Sequence, residues 1–148
     1  MQLKRVVVTG LGALTPIGNN IQEYWDALIS GKSGAAPITY YDTEKHKTKF
    51  ACEVKNFNIE EFIDRKEARR MDKFAQYAIV AGEQAIADAG ILDSNVNKQR
   101  VGVIWGAGIG GLETFQEEVL SYAKGDGTPR FNPFFIPKMI ADIAPAHI

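Results

Sequence analysis

The sequence predicts a layered α/β fold. Two continuous apolar runs, Val6-Val7-Val8-Thr9 and Val101-Gly102-Val103-Ile104-Trp105, read as strands interior to a sheet covered on both faces. Segments of helical period alternate with them, the pattern of a layered α/β protein. The third observation is the stretch Arg65–Gly90. Its apolar and small residues, Met71, Phe74, Ala75, Ala78, Ile79, Gly82, Ala85, Ile86 and Ala89, step by three and four. The opposite face carries Tyr77, Val80, Ala81 and Ala87, so it is not clearly polar. A helix that is apolar or small almost all round is a buried one. The spacing therefore predicts a central helix over Phe74–Ala89, pressed between layers and closed by Gly90 as a C-cap.

The other elements follow in chain order. The run from Lys4 to Thr9 ends at Gly10, and Gly10–Gly18 forms a long turn. Asn20 caps a helix striped by Ile21, Tyr24, Trp25, Leu28 and Ile29, which Gly31 closes. Lys32–Thr39 reads as a loop, and Phe50–Val54 alternates as a short strand. Asn58 opens one or two helical turns through Ile63. Asp64 caps the start of the central stretch, with Glu67 placed for a capping box. After Val101–Trp105 comes Gly106-Ala107-Gly108-Ile109-Gly110-Gly111, then a helix near Leu112–Ala123 and a turn over Lys124–Pro129. Pro133 opens an apolar segment from Phe134 to Ile140, with a last helix under way at the chain's end. No internal repeat or linker divides the sequence.

With 148 residues, 45% hydrophobic and 24% charged, the chain suits one globular domain able to bury a core. A net charge of −1 implies no bulk attraction to nucleic acid or membrane. One cysteine allows no internal disulfide, which fits a reducing cytoplasm. No signal peptide precedes the first strand, and no apolar run is long enough to span a bilayer.

Three features bear on chemistry. Arg65, Lys66, Arg69, Arg70 and Lys73 stand against only Glu67 and Asp72. Cations at a helix start oppose its dipole by about 0.3–1 kcal/mol each, so the cluster either serves a partner or is a solvated basic turn paired with its own acids. Gly106, Gly108 and Gly111 match the bare G-x-G-x-x-G of dinucleotide sites, whereas Gly10-x-Gly12 fails with Thr15 at the third position. No second strand ending in an acid follows, so no cofactor is expected, and the glycines instead allow close approach to a neighbouring element. Cys52 shares a strand face with Phe50 and Val54 and reads as a small core residue. His46 lies in a Lys-rich turn and His147 near the end. No metal ligand set, and no nucleophile with a base and an orienting group, is assembled.

In combination these motifs resemble the β-ketoacyl-acyl-carrier-protein synthases. The resemblance rests on Val6–Gly12 followed by Thr15–Gly18, Arg69-Arg70-Met71-Asp72 running into Phe74-Ala75, Gly106–Gly111, and Asn132–Pro137, and it covers the whole chain in order. Ile109 within the glycine run is similar to the elongating type II class, with type I and polyketide ketosynthases as near alternatives. The resemblance implies a thiolase-like fold of two similar halves stacked as α/β/α/β/α layers, with residues 1–148 forming most of the N-terminal half. It implies a decarboxylative Claisen condensation. An active-site cysteine accepts an acyl group from carrier protein, and malonyl-carrier protein loses CO₂ to give the attacking carbanion, assisted by two histidines, a lysine and oxyanion-binding amides. Those catalytic side chains belong to family motifs outside this sequence, and neither Cys52 nor His147 lies in them. The chain alone is accordingly expected to be inactive and to expose apolar surface. The resemblance assigns Ile109 and Phe135 to the acyl pocket, Phe135 reaching the pocket of a homodimer partner. It assigns Lys66, Arg69, Arg70 and Arg130 to docking of acidic acyl carrier protein, although the loop around Arg130 differs in length. A carrier-binding partner without a nucleophile, like a chain-length factor, and a nucleotide-dependent oxidoreductase built on the Gly106 turn are the other readings.

Overall fold

The computed structural model describes residues 3–92 and 95–148, in two compact units. Met1–Phe57 and Glu83–Val96 form one, Asn58–Gly82 and Asn97–Ile148 the other. The long helix α3, Lys73–Asp88, contributes its first part to the second unit and its last part to the first.

In the first unit, helix α1 spans Ile21–Ile29. The Asn20 carboxamide oxygen accepts from Glu23 N at 2.9 Å, as an N-cap should, and Gly31 follows the helix at φ +65°. A short antiparallel pair, β1 (Ala36–Pro37) and β2 (Phe50–Ala51), sets Ala36 opposite Ala51. The turn from Gly10 to Asn19 is held on the last part of α3. Leu11 N donates to Asp88 Oδ2 at 2.9 Å and Ala13 N to Gln84 Oε1 at 3.0 Å, while Gln84 Nε2 donates to the Asn19 carbonyl at 2.8 Å. Gly10 is why the backbone can come so near. A Cβ there would overlap the Ala85 carbonyl oxygen and lie 2.5 Å from Ala89 N. Alanines on the helix and a glycine on the turn together permit the contact.

The second unit is helical: a 3₁₀ turn at Ile59–Glu61, α2 (Arg65–Ala68), the start of α3, a 3₁₀ turn at Lys98–Arg100, α4 (Leu112–Lys124), α5 (Phe135–Met139), a 3₁₀ turn at Ala141–Ile143 and α6 (Ala144–His147). Met71, Ala75 and Ile79 form its core, with Ile63, Phe74 and Ile143 packed around them. The expected helix is therefore present, buried along one part of its length. Ala75, Ala78, Ile79 and Val80 are buried, and only Glu83, Ala87 and Asp88 of α3 are exposed. Gly90 sits at φ +62°, and Ile91 N donates back to Ile86 O at 3.3 Å, the C-cap the sequence predicts.

Five expectations need correction. Lys32–Thr39 is not all loop, because it carries the short strand β1, which the sequence leaves unmarked. The runs Val6–Thr9 and Val101–Trp105 are not strands. Val6 is 89% and Ile104 100% exposed, and among the described residues neither run has a ladder partner. An apolar sequence supplies the side chains of an interior strand, but neighbouring strands must supply its hydrogen bonds. The short strand near Cys52 stops at Ala51, so Cys52 is exposed and not a core residue. Arg65–Gly90 is not one helix: a turn over Arg69–Met71 separates α2 from α3. Asp64 does cap, its carboxylate accepting from Lys66 N and Glu67 N, but it caps the one-turn helix α2. Of these cations only Lys73 stands in the first turn of the long helix, so the dipole argument loses most of its force. Finally, Glu67 does not complete a capping box; it pairs with Arg70 at 2.8 Å.

Candidate functional site

All the residues expected to be functional fall in the second unit. Lys66 and Arg69 lie on and just after α2, exposed, and among the described residues neither joins an ion pair. Arg70 differs. Its guanidinium donates to Glu67 Oε1 at 2.8 Å and stacks 5.0 Å over the Phe134 ring, leaving the side chain half-buried. Arg130 is remote in sequence and ion-paired with Asp126 at 3.4 Å. Backbone and hydroxyl hydrogen bonds from Thr128 hold the Asp126 carboxyl below the usual carboxylate range.

The two candidate pocket residues are placed unequally. Ile109 is 70% exposed in the glycine turn. Phe135, at the start of α5, is half-buried in an aromatic group, stacked on Phe131 at 5.7 Å and on Phe115 of α4 at 6.3 Å. Phe131 in turn meets Tyr122 at 5.5 Å.

What joins these parts is a residue the motif reading did not assign. Asp72 is buried, as is Thr114 in the first turn of α4. Asp72 Oδ2 accepts from Thr114 Oγ1 at 2.5 Å and from Thr114 N at 3.2 Å. Its other oxygen lies 3.5 Å from Phe74 N at the start of α3. One carboxylate thus serves the N-termini of two helices, where negative charge is favoured. The sequence held a faint sign of this. Helix α4 begins after Gly111, which has no side chain to cap with, so an acceptor from elsewhere is required.

The glycine run itself is divided. Gly111 N donates to the Met139 carbonyl at 2.9 Å, and a Cβ on Gly111 would overlap the Lys138 carbonyl oxygen and lie 3.0 Å from Asp72 Oδ2. Gly110 sits at φ +87° with the Met139 carbonyl against it. Gly106 and Gly108 face open space. Close approach to a neighbouring element therefore holds for the second half of the run only. The arrangement is poor for a dinucleotide: no strand precedes the turn, and the Asp72 carboxylate already occupies the α4 N-terminus where a pyrophosphate would bind.

An open groove of about 570 Å³ runs beside these residues, lined by Ala68, Arg69, Met71, Asp72, Thr114 and Lys138 among others. Lys73 and Glu113 pair at 3.0 Å within its lining. Cys52, His46 and His147 are all exposed, with His46 beside the Tyr41 ring. Among the described residues no group of three or more His, Cys, Asp or Glu is placed to hold a metal ion, and no helix is long and apolar enough to cross a membrane.

The family model for the β-ketoacyl synthase N-terminal domain matches residues 3–148. The chain belongs to the β-ketoacyl synthase family. Within it, the chain is similar to 3-oxoacyl-[acyl-carrier-protein] synthase 2 of Staphylococcus aureus (strain COL), at 50% identity over 148 residues, covering 99% of this chain and 35% of that protein. It spans about a third of the length of the curated relatives it matches. Its backbone is similar to a solved ishigamide ketosynthase/chain length factor, with a TM-score of 0.76, 28% identity, and coverage of 93% of this chain and 34% of that one. It is also similar to a type II polyketide ketosynthase solved in complex with its acyl-carrier protein, with a TM-score of 0.77 and 97% and 37% covered. At 24% identity, that second likeness speaks to fold alone. Over the matched stretch the backbone is thus shared with a ketosynthase, with helices and a small sheet in place.

Proposed function

We propose that this chain is the carrier-docking and acyl-pocket part of a type II β-ketoacyl synthase, which elongates fatty acyl chains by decarboxylative Claisen condensation. The observation that carries the reading is the 50% identity to a 3-oxoacyl-[acyl-carrier-protein] synthase 2 along the whole chain. In this reading the chain forms most of the first half of a layered α/β/α/β/α thiolase-like protein, working as a cytoplasmic homodimer. The nucleophile, histidines and lysine of the reaction come from outside residues 1–148. Lys66 and Arg69, exposed and unpaired among the described residues, offer an acidic carrier two free cations on one edge. Arg130, tied to Asp126, and Arg70, tied to Glu67 and Phe134, are less available. Ile109 and Phe135 contribute to the acyl pocket.

Titration of the chain with acyl carrier protein at low salt tests the docking edge. Lys66→Glu combined with Arg69→Glu should weaken binding about tenfold or more, and added salt should erase most of the difference. Equal affinity of wild type and double variant at low salt would remove these residues from the docking surface.

A further inference from the structure

Arg70 and Asp72 flank Met71, a residue of the second unit's core. Each reaches a different segment. Arg70 stacks over Phe134, whose neighbour Phe135 lies in the aromatic group on α4. Asp72 holds Thr114, and the same carboxylate lies against Gly111, two residues from Ile109. The two segments are themselves joined, because Gly111 N donates to the carbonyl of Met139 at the end of α5. Lys66 and Arg69 precede this pair by only a few residues.

We propose that Arg70 and Asp72 are positioning residues: they fasten the Ile109 turn and the Phe134-Phe135 step to the segment bearing Lys66 and Arg69, so that a carrier protein docked on those cations is felt at Ile109 and Phe135. The carrier half of this inference rests on the docking reading above; the fastening half does not. Physically, the Asp72 link is the costly one to break, and the half-exposed cation–π contact of Arg70 with Phe134 is the weaker tie. A buried carboxylate that loses its donors keeps its desolvation, and charge-assisted hydrogen bonds are about twice as strong as neutral ones. Met71 anchors the chain between the two links, so a displacement of one end cannot be absorbed by a loose spacer.

The fastening is tested on the free chain by NMR. Asp72→Ala should speed exchange of the Thr114 amide roughly 10- to 100-fold and shift the Ile109 methyl signal. The Leu11 amide, held by Asp88 in the first unit, reports whether folding persists. Should Asp72→Ala not fold, Thr114→Val and Thr114→Ser decide. The serine variant keeps both donors and should behave as wild type, whereas the valine variant should move Ile109. Identical behaviour of the two, or an unmoved Ile109 in a folded Asp72→Ala chain, overturns the fastening.

Transmission is tested by adding acyl carrier protein. Signals of Lys66 and Arg69 report docking, and those of Ile109 and Phe135 report the response. The response should be lost when Thr114→Val is combined with Phe134→Leu, although docking persists. A response undiminished in that variant, or docking in wild type with no response, overturns transmission. Absence of any docking signal overturns the docking reading and transmission with it, while the first experiment still judges the fastening alone.

Discussion

The two glycine turns of this chain follow similar apolar runs yet are held differently. Gly10–Asn19 is fixed by side chains: Asp88 and Gln84 of α3 reach its amides and a carbonyl, and Gly10 only makes room. Gly106–Gly111 is fixed at one end only, by the Met139 carbonyl and, just beyond it at Thr114, by the Asp72 carboxylate. Gly110 and Gly111 lie against carbonyls of α5, while a Cβ on Gly106 or Gly108 would meet nothing within 4 Å among the described residues. The difference shows that glycine content says little about where a turn is rigid. What counts is whether the space a Cβ would need is already occupied.

Substitutions can break or sharpen this contrast. The largest effect should come from Gly110→Ala. The left-handed φ and the Met139 carbonyl both oppose a Cβ, at roughly 3–5 kcal/mol together, read as loss of Gly111 amide protection and a lower denaturant midpoint. Gly10→Ala meets helix backbone without the φ penalty and should cost about 1–3 kcal/mol, loosening the Leu11 and Ala13 amides. Gln84→Ala leaves Ala13 N and the Asn19 carbonyl to water and should cost about 1–2 kcal/mol, with exchange at Ala13 as the local readout. Gly108→Ala should lie within about 0.5 kcal/mol of wild type. A Gly108→Ala chain as damaged as Gly110→Ala would erase the contrast.

Much of the local structure was legible in the sequence. Asn20, Gly31, Asn58, Asp64 and Gly90 mark helix ends through rules that operate within a turn of chain, and the three-four spacing of small residues located α3. The apolar runs were misread because a strand is completed by partners, and Val6–Thr9 and Val101–Trp105 have none among the described residues. Cys52 was misplaced with them, since its burial was inferred from strand alternation that stops at Ala51. The break at Asp72 was hidden for another reason. Arg69–Met71 has helical composition, and only the distant Thr114 explains why a carboxylate sits there and starts a new helix. The family motifs single out Lys66, Arg69, Arg70, Ile109, Arg130 and Phe135, which all fall in the second unit. They could not show that Arg70 is engaged by Phe134 and Glu67 while Lys66 and Arg69 remain exposed.

Amide hydrogen exchange on the wild-type chain compares the two turns most directly. Leu11, Ala13, Gly111 and Thr114 should exchange roughly 100-fold or more slowly than free peptide, with Gly106 and Gly108 close to the free rate. Uniform protection along Gly106–Gly111, or free exchange at Gly111 and Thr114, would show that the turn is not anchored at Asp72 and Met139.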